Sequence, residues 1–186
     1  MGYHTFDPDR AAELEDAGRR YQLLSAEELL WALSPDGDET VADLGSGTGF
    51  YTDDVAPAVD HAYAVDIQES MHEHYRAKGV PDNVDLVTSA IADLPFETGS
   101  LDAAFSTMTY HEFAAEEALR ESARVLDSRG TFVVADWTAS GRGTRGPPIE
   151  ERFSAADAAS ALSQHGFHVA FEAERPETFL LIGHAE

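Results

Sequence analysis

The chain has 186 residues, which is enough for one domain with a full core and leaves no room for a second large one. Aspartate and glutamate total 35 against 12 lysines plus arginines, a formal net charge of −23, and there is no cysteine. This composition excludes disulfides, thiolate metal ligands and a thiol nucleophile, and it argues against nucleic acid, whose phosphates need a basic patch.

Residues 7–33 read as helices. Asp7 or Asp9 can cap the first, which carries Ala12, Leu14 and Ala17 until Gly18 weakens it. Ser25 with Glu28 three residues on is a capping-box pattern, and Leu29, Leu30 and Leu33 form a helical apolar stripe. Residues 1–38 are therefore expected to be a helical extension, and residues 39–186 the core of one domain. Tyr3, Phe6, Arg19, Arg20 and Tyr21 are candidates to reach a pocket; ordinary packing or solvation is the alternative for each. Ser34–Asp38 is a turn.

Thr40–Leu44 is a first strand, and Gly45-Ser46-Gly47-Thr48-Gly49 follows it directly. Phe50–Val59 reads as a helix limited by Pro57. Strand, glycine loop, helix is the order in which a ligand can lie on bare backbone against the free N–H groups of a helix start. A dinucleotide fingerprint runs G-x-G-x-x-G; here the last glycine comes one residue early. His61–Val65 is a second strand ending in Asp66, 17 residues after Gly49. An acid there can accept both ribose hydroxyls, and it can equally cap the next helix. In the helix Gln68–Lys78, His72 and His74 face different ways, so they are expected to be solvated rather than to share a metal. No metal site is expected.

Asn83–Val87 is a third strand, and the segment Ala90–Phe96 follows. Leu101–Ser106 is a fourth strand, followed by Thr107, Met108, Thr109, Tyr110, His111 and Glu112. Phe113–Leu126 reads as a helix, Asp127–Gly130 as a tight connection and Thr131–Ala135 as a buried fifth strand. Ser140–Pro148, with Arg142 and Arg145, reads as a mobile loop over the pocket mouth. Ser154 starts a further helix to about His165. Residues 166–174 and 178–185 are two strands with a short join, hence antiparallel.

Four segments resemble the class I S-adenosylmethionine-dependent methyltransferases. Asp43-Leu-Gly-Ser-Gly-Thr-Gly49 is similar to their first motif, roughly Asp/Glu-x-Gly-x-Gly-x-Gly. Ala92-Asp-Leu-Pro-Phe96 followed by Gly99-Ser-Leu-Asp102 resembles the ubiquinone/menaquinone-biosynthesis type, as does Arg124-Val-Leu-Asp-Ser-Arg-Gly130. The terminal hairpin also belongs to that pattern. The resemblance implies an α/β, Rossmann-like, doubly wound seven-stranded sheet of order 3-2-1-4-5-7-6 with the last strand antiparallel. It implies S-adenosylmethionine as cofactor and S-adenosylhomocysteine as product. Asp43, Gly45, Ser46 and Gly47 would hold the methionine portion, and Asp66 with Ile67 the ribose. Asp93 would meet the adenine amino group, with Ala92 and Leu94 along the ring. Ser106 and Thr107 would lie where cofactor and acceptor meet.

His111 is by position the candidate general base, with a polar pocket wall as its alternative, and Tyr110 is the candidate to orient an acceptor. The lack of an Asn/Asp-Pro-Pro-Tyr loop argues against methylation of planar amino groups, and the lack of cysteine against cytosine-C5 or thiolate-dependent arsenic chemistry. A small-molecule acceptor fits the short chain, as monomer or homodimer. A relative that only binds cofactor or needs a partner is a second possibility. A nicotinamide-dependent oxidoreductase is a third, opposed by the loop spacing, Asp93 and the hairpin. No apolar run of about twenty residues and no signal pattern are present, so a cytoplasmic protein is expected. The carboxylates are spread along the chain, and Lys78 is the one lysine. This resembles the proteins of extreme halophiles, where molar salt shortens screening to about 3 Å; an acidic surface for a basic partner is the alternative.

Overall fold

The computed structural model describes residues 6–186. Its elements in chain order are α1 (Ala17–Arg20), α2 (Ala26–Leu33), β1 (Thr40–Leu44), α3 (Phe50–Val55), β2 (His61–Asp66), α4 (Glu69–Lys78), β3 (Val84–Thr88), β4 (Leu101–Thr107), α5 (Tyr110–Phe113), α6 (Glu116–Val125), β5 (Leu126–Trp137), α7 (Ala155–Gln164), β6 (Phe167–Glu174) and β7 (Thr178–Ala185). Short 3-10 turns cover Pro8–Glu15, Ala56–Ala58 and Ile149–Glu151. The seven strands form one sheet of order β3-β2-β1-β4-β5-β7-β6. Strands β1 to β5 pair in parallel, and β7 runs antiparallel to β5 and β6.

Successive strand side chains point to opposite faces, so each strand feeds two cores. In β5, Phe132 and Val134 join Ala118, Leu119, Ala158 and Leu162 of α6 and α7 on one face. Val133 and Ala135 join Leu29, Leu33, Tyr51 and Val55 of α2 and α3 on the other. The sheet is thus covered on both sides, as parallel strands require. Truncating a fully buried ring such as Phe132 would cost about 3–5 kcal/mol.

Several local expectations are corrected. The first turns after Asp7 are 3-10 rather than α-helical, and Asp16 recaps the chain by accepting from the Arg19 N–H. Helix α2 packs into the sheet's core beside Val41 and Phe105, so the boundary expected near residue 38 does not separate it from the core. Its Ser25 cap forms as the pattern suggests, accepting from Glu28 N–H at 3.1 Å. Pro57 ends α3 at Val55. The helix expected over 113–126 starts at Glu116 as α6, because Ala115 is extended, and Phe113 instead ends the short α5.

The expected connection at Asp127–Gly130 is part of β5. Leu101 pairs with Leu126, while Ala103 pairs with Thr131, so β5 carries a bulge there instead of a loop. Ser140–Pro148 packs over Trp137, where a Cβ on Gly146 would lie 2.5 Å from the indole. Arg152 holds it by donating from Nε to Pro147 O at 2.9 Å and stacking its guanidinium over Trp137. None of its residues lines the cavity described next.

Candidate active site

The carboxyl ends of β1, β2, β3 and β4 lie together, and the segments leaving them wall a cavity of about 200 Å³. From β1 come Gly45, Ser46, Gly47 and Thr48; from β2, Asp66, Ile67 and Gln68; after β3, Ser89, Ala90, Ile91 and Ala92; from β4, Thr107, Met108 and Thr109, with Glu112 beyond. The chain turns toward β2 after β1, whereas β4 lies on β1's other side. This is the topological switch point at which doubly wound sheets bind ligands.

The glycine loop is built of backbone. Gly45 (φ +86°) lies so close to Thr109 that an added Cβ would sit 2.4 Å from its methyl. Gly49 (φ +77°) is pressed on the Tyr75 ring, where a Cβ would meet Cε1 at 2.0 Å. Only a residue without a side chain takes both constraints. The N–H groups of Gly45 and Ser46 both donate to Val65 O at 2.9 Å. Asp66 accepts from Gly47 N–H and Gln68 N–H, each at 2.8 Å. This acid therefore locks the glycine loop to the end of β2 while it lines the cavity. Its burial raises its proton affinity above the usual carboxylate value, against the pull of those two N–H groups.

Asp43, expected to hold the ligand's methionine portion, is instead buried beneath the loop and does not line the cavity. Its Oδ2 accepts from Thr52 Oγ1 at 2.7 Å, and burial pushes its pKa up to about 7. Three buried polar atoms at this end have no hydrogen-bond partner among the described residues: Asp43 Oδ1, Ser46 Oγ and Arg20 Nε. Arg20 lines the cavity, and its guanidinium lies 4.6 Å from the Tyr51 ring centroid and 5.4 Å from that of Phe50. Burial lowers its proton affinity. Among the described residues no carboxylate pairs with this guanidinium and its buried Nε has no hydrogen-bond partner, which is costly, and here it stands beside a cavity.

The N-terminal segment closes this end. Phe6 and Leu14 line the cavity with Arg20. Glu15 accepts from Thr48 Oγ1 and from Lys78 at 3.2 Å, and Gln68 Nε2 donates to Phe6 O at 3.0 Å. Among the aromatic and basic candidates in this segment, Phe6 and Arg20 reach the cavity. Arg19 pairs with Asp16, and Tyr21 donates to Asp54. Tyr3 lies outside the described residues.

Beyond β3 the wall is Ser89–Ala92. Asp93 follows it but is exposed and does not line the cavity. Leu94, expected along a ring ligand, is instead buried in the core. The reason is a clamp from α6. Glu121 accepts from Leu94 N–H at 2.9 Å, while Arg124 donates to Leu94 O and Phe96 O and pairs with Glu121 at 2.7 Å. Ser106 is fully buried and, unlike Thr107, is not a lining residue. His72 is buried rather than solvated, 3.0 Å from Thr88 Oγ1, whereas His74 is exposed.

The segment after β4 departs furthest from expectation. Tyr110 is completely buried, edge-on to Phe113, Phe153 and Phe179, and away from the cavity. His111 does not line the cavity either. Asp136, at the end of β5, captures both its backbone N–H at 2.7 Å and its ring Nδ1 at 2.9 Å. Burial alone would lower the imidazole's proton affinity; the Asp136 carboxylate outweighs it and holds His111 above its ordinary value. Glu112, which the motif reading passed over, is the residue of this turn that lines the cavity. Burial pushes its pKa up to about 7. Among the described residues, no group of three His, Asp or Glu side chains could hold a metal ion, and no helix is long and apolar enough to cross a membrane.

A seven-stranded sheet with a reversed β7 and a glycine-floored cavity at its switch point define the class I methyltransferase fold. The chain belongs to the S-adenosylmethionine-dependent methyltransferases, since residues 42–134 match the family model described as "Methyltransferase domain". It is 34% identical over 122 residues to the ubiquinone/menaquinone biosynthesis C-methyltransferase UbiE of Rhizobium meliloti, covering 59% of this chain and 46% of that protein. It is 30% identical over 138 residues to a sarcosine/dimethylglycine N-methyltransferase of Halorhodospira halochloris, covering 69% and 47%. The chain thus spans about half the length of these two curated relatives. Among solved structures, a SAM-dependent methyltransferase from Aquifex aeolicus superposes with a TM-score of 0.88 at 27% identity, covering 98% of this chain and 100% of that one. A protein in complex with a Haloferax volcanii methyltransferase activator superposes at 0.79 with 21% identity, covering 96% of each, and shares the fold.

Proposed function

We infer that the chain transfers a methyl group from S-adenosylmethionine to a small-molecule acceptor. The observation that carries this reading is the glycine-loop end of the cavity. Its cavity-lining Ser46 Oγ and Arg20 Nε, each without a hydrogen-bond partner among the described residues, match a ligand end bearing a carboxylate beside an ammonium group. The N–H groups of Gly45, Ser46 and Gly47 are taken by Val65 O and Asp66, so the loop offers carbonyl oxygens to the ammonium group, with Arg20 facing the carboxylate. Asp66 keeps a free lone pair on each oxygen for ribose hydroxyls. Ile67, Ile91 and Ala92 supply an apolar slot for the adenine, so the adenine role moves from the Asp93 side chain to the wall that precedes it.

The bound cofactor supplies an activated methyl carbon. What the protein adds is orientation, which is worth roughly 7–11 kcal/mol in well-aligned reactions, and exclusion of water by the Phe6–Arg20 segment. The end after β4, where the acceptor would enter, presents apolar Met108 and Phe113, which suits a small organic molecule.

Methyl-labelled S-adenosylmethionine incubated with a desalted protein fraction and, separately, with a small-molecule extract tests the acceptor class. Label in the small-molecule fraction is the expected result, and label in protein would contradict it. A second reading, activity that needs a partner, is favoured by the activator complex of the Haloferax volcanii neighbour. It would show as cofactor binding without label transfer until cell extract is added.

A further inference from the structure

After β4 a chain of three ionisable groups leads to the cavity wall at Glu112. Asp136 is buried and fixed by three N–H donors: His111 N, His111 Nδ1 and its neighbour Trp137 N, at 2.7–2.9 Å. His111 is thereby held in one orientation, which points its Nε2 toward Glu112, 3.9 Å from Oε1. Glu112 lines the cavity, and its one ionic neighbour within 4 Å among the described residues is that His111 nitrogen. The order buried carboxylate, imidazole, cavity-facing carboxylate is an arrangement for handling a proton.

We propose that Glu112 is the proton-accepting catalytic residue of this cavity, that Asp136 and His111 are positioning residues behind it, and that its acceptor carries the nucleophile as a proton-bearing amine or hydroxyl rather than as a preformed anion. The proposal rests on the methyltransferase reading above. An anionic nucleophile would be repelled by Glu112 and Asp66, which line the same cavity. In the step itself, the acceptor's lone pair forms the new bond to the methyl carbon, the carbon–sulfur bond breaks with its electron pair left on sulfur, and the acceptor's proton ends on Glu112.

Charge sets the timing. Glu112 sits among Asp66, Asp136, Glu151 and the opposing charge of His111, and burial is the largest influence on it. Its proton affinity therefore lies near neutrality, so both the protonated and the ionised form are populated around pH 7. A positive charge entering the cavity expels that proton and leaves a carboxylate ready to act as a base. When methyl transfer removes the positive charge, Glu112's proton affinity rises again as the acceptor's proton departs.

The test is proton release on ligand binding, measured by calorimetry in buffers of different ionisation enthalpy, with S-adenosylmethionine (a cation at sulfur) against S-adenosylhomocysteine (neutral there). The amino-acid end is common to both ligands, so any titration of Asp43 cancels in the difference. Wild type should release a measurable fraction of a proton more with the first ligand around pH 7. E112Q should bind both ligands and lose that difference. H111N should retain it with the midpoint moved to higher pH, because the imidazolium that favours the Glu112 carboxylate is gone. In the ligand-free protein, one glutamate carboxyl carbon resonance should titrate near neutrality and vanish in E112Q. Equal release for the two ligands, an undiminished difference in E112Q, or no such resonance overturns the assignment of Glu112. Failure of both ligands to bind the folded protein overturns the methyltransferase reading itself, and the proposal with it.

Discussion

The two ends of the cavity are made of different material. The glycine-loop end is floored by backbone: Gly45, Ser46 and Gly47 are held by Val65 O and Asp66. The end after β4 is side chain: Asp136, His111 and Glu112 in series, with Tyr110 turned into the core. A backbone site is specified by where side chains are missing, and glycine spacing displays that directly. A side-chain site is specified by which of several adjacent residues faces inward, and here a residue 25 positions away decides it.

The sharpest way to break this contrast is at a glycine. Gly49→Ala places a Cβ inside the Tyr75 ring at a positive φ. It should cost about 2–6 kcal/mol, from about 1–3 of backbone strain and a similar amount of overpacking, and abolish measurable cofactor binding. Urea unfolding and calorimetry read both effects. If the variant is as stable as wild type and binds equally, the floor of the cavity is not the rigid backbone described.

Next in size is the buried acid under the loop. Asp43 has a folded pKa of about 7, above its unfolded value. The folded state therefore holds the proton more tightly, and the Asp43 contribution to stability falls as pH rises from about 4 through 7, by up to about 4 kcal/mol. Asp43→Asn should flatten stability against pH in this window, as followed by urea denaturation at pH 5 and pH 8. An unchanged slope would locate that pH dependence elsewhere.

Arg20→Met separates binding from stability. Losing a charge-assisted bond should weaken S-adenosylhomocysteine roughly ten- to hundredfold. The thermal midpoint should hold or rise, because an unpaired buried charge is removed. A large fall in stability with unchanged affinity would make Arg20 a packing residue over Tyr51 and Phe50. The smallest effect belongs to the clamp. Glu121→Ala releases Leu94 N–H and the Arg124 partner and should cost about 1 kcal/mol, with loosened protection of the 89–94 amides in hydrogen exchange. Unchanged protection would mean that Leu94 burial alone holds that wall.

The reversed β7, the glycine loop and Asp66 at the end of β2 were legible in the sequence, since each has a local signature (two strands with a short join, strand-then-glycine, acid-after-strand), whereas the sheet order came only with the resemblance to the methyltransferases. What was not legible depends on distant partners. Nothing local tells Tyr110 from His111 or Glu112 on a single helical turn; their facing follows from Asp136 gripping His111. Leu94 reads as a wall residue until Glu121 and Arg124 draw it under α6. The 140–148 loop looks mobile because it is glycine-rich, yet Arg152 stacked on Trp137 ties it down. Glu112 had one usable signal, an acid one turn beyond the switch-point strand, but the adjacent histidine drew the assignment.

The most direct test of the central claim is parallel calorimetric titration of the full chain, in molar KCl, with S-adenosylmethionine, S-adenosylhomocysteine and NAD. Binding of the two adenosyl ligands with no heat from NAD is the result expected of a cavity whose glycine loop and Arg20 receive an amino-acid end. Binding of NAD alone would contradict it and return the glycine loop to the dinucleotide class.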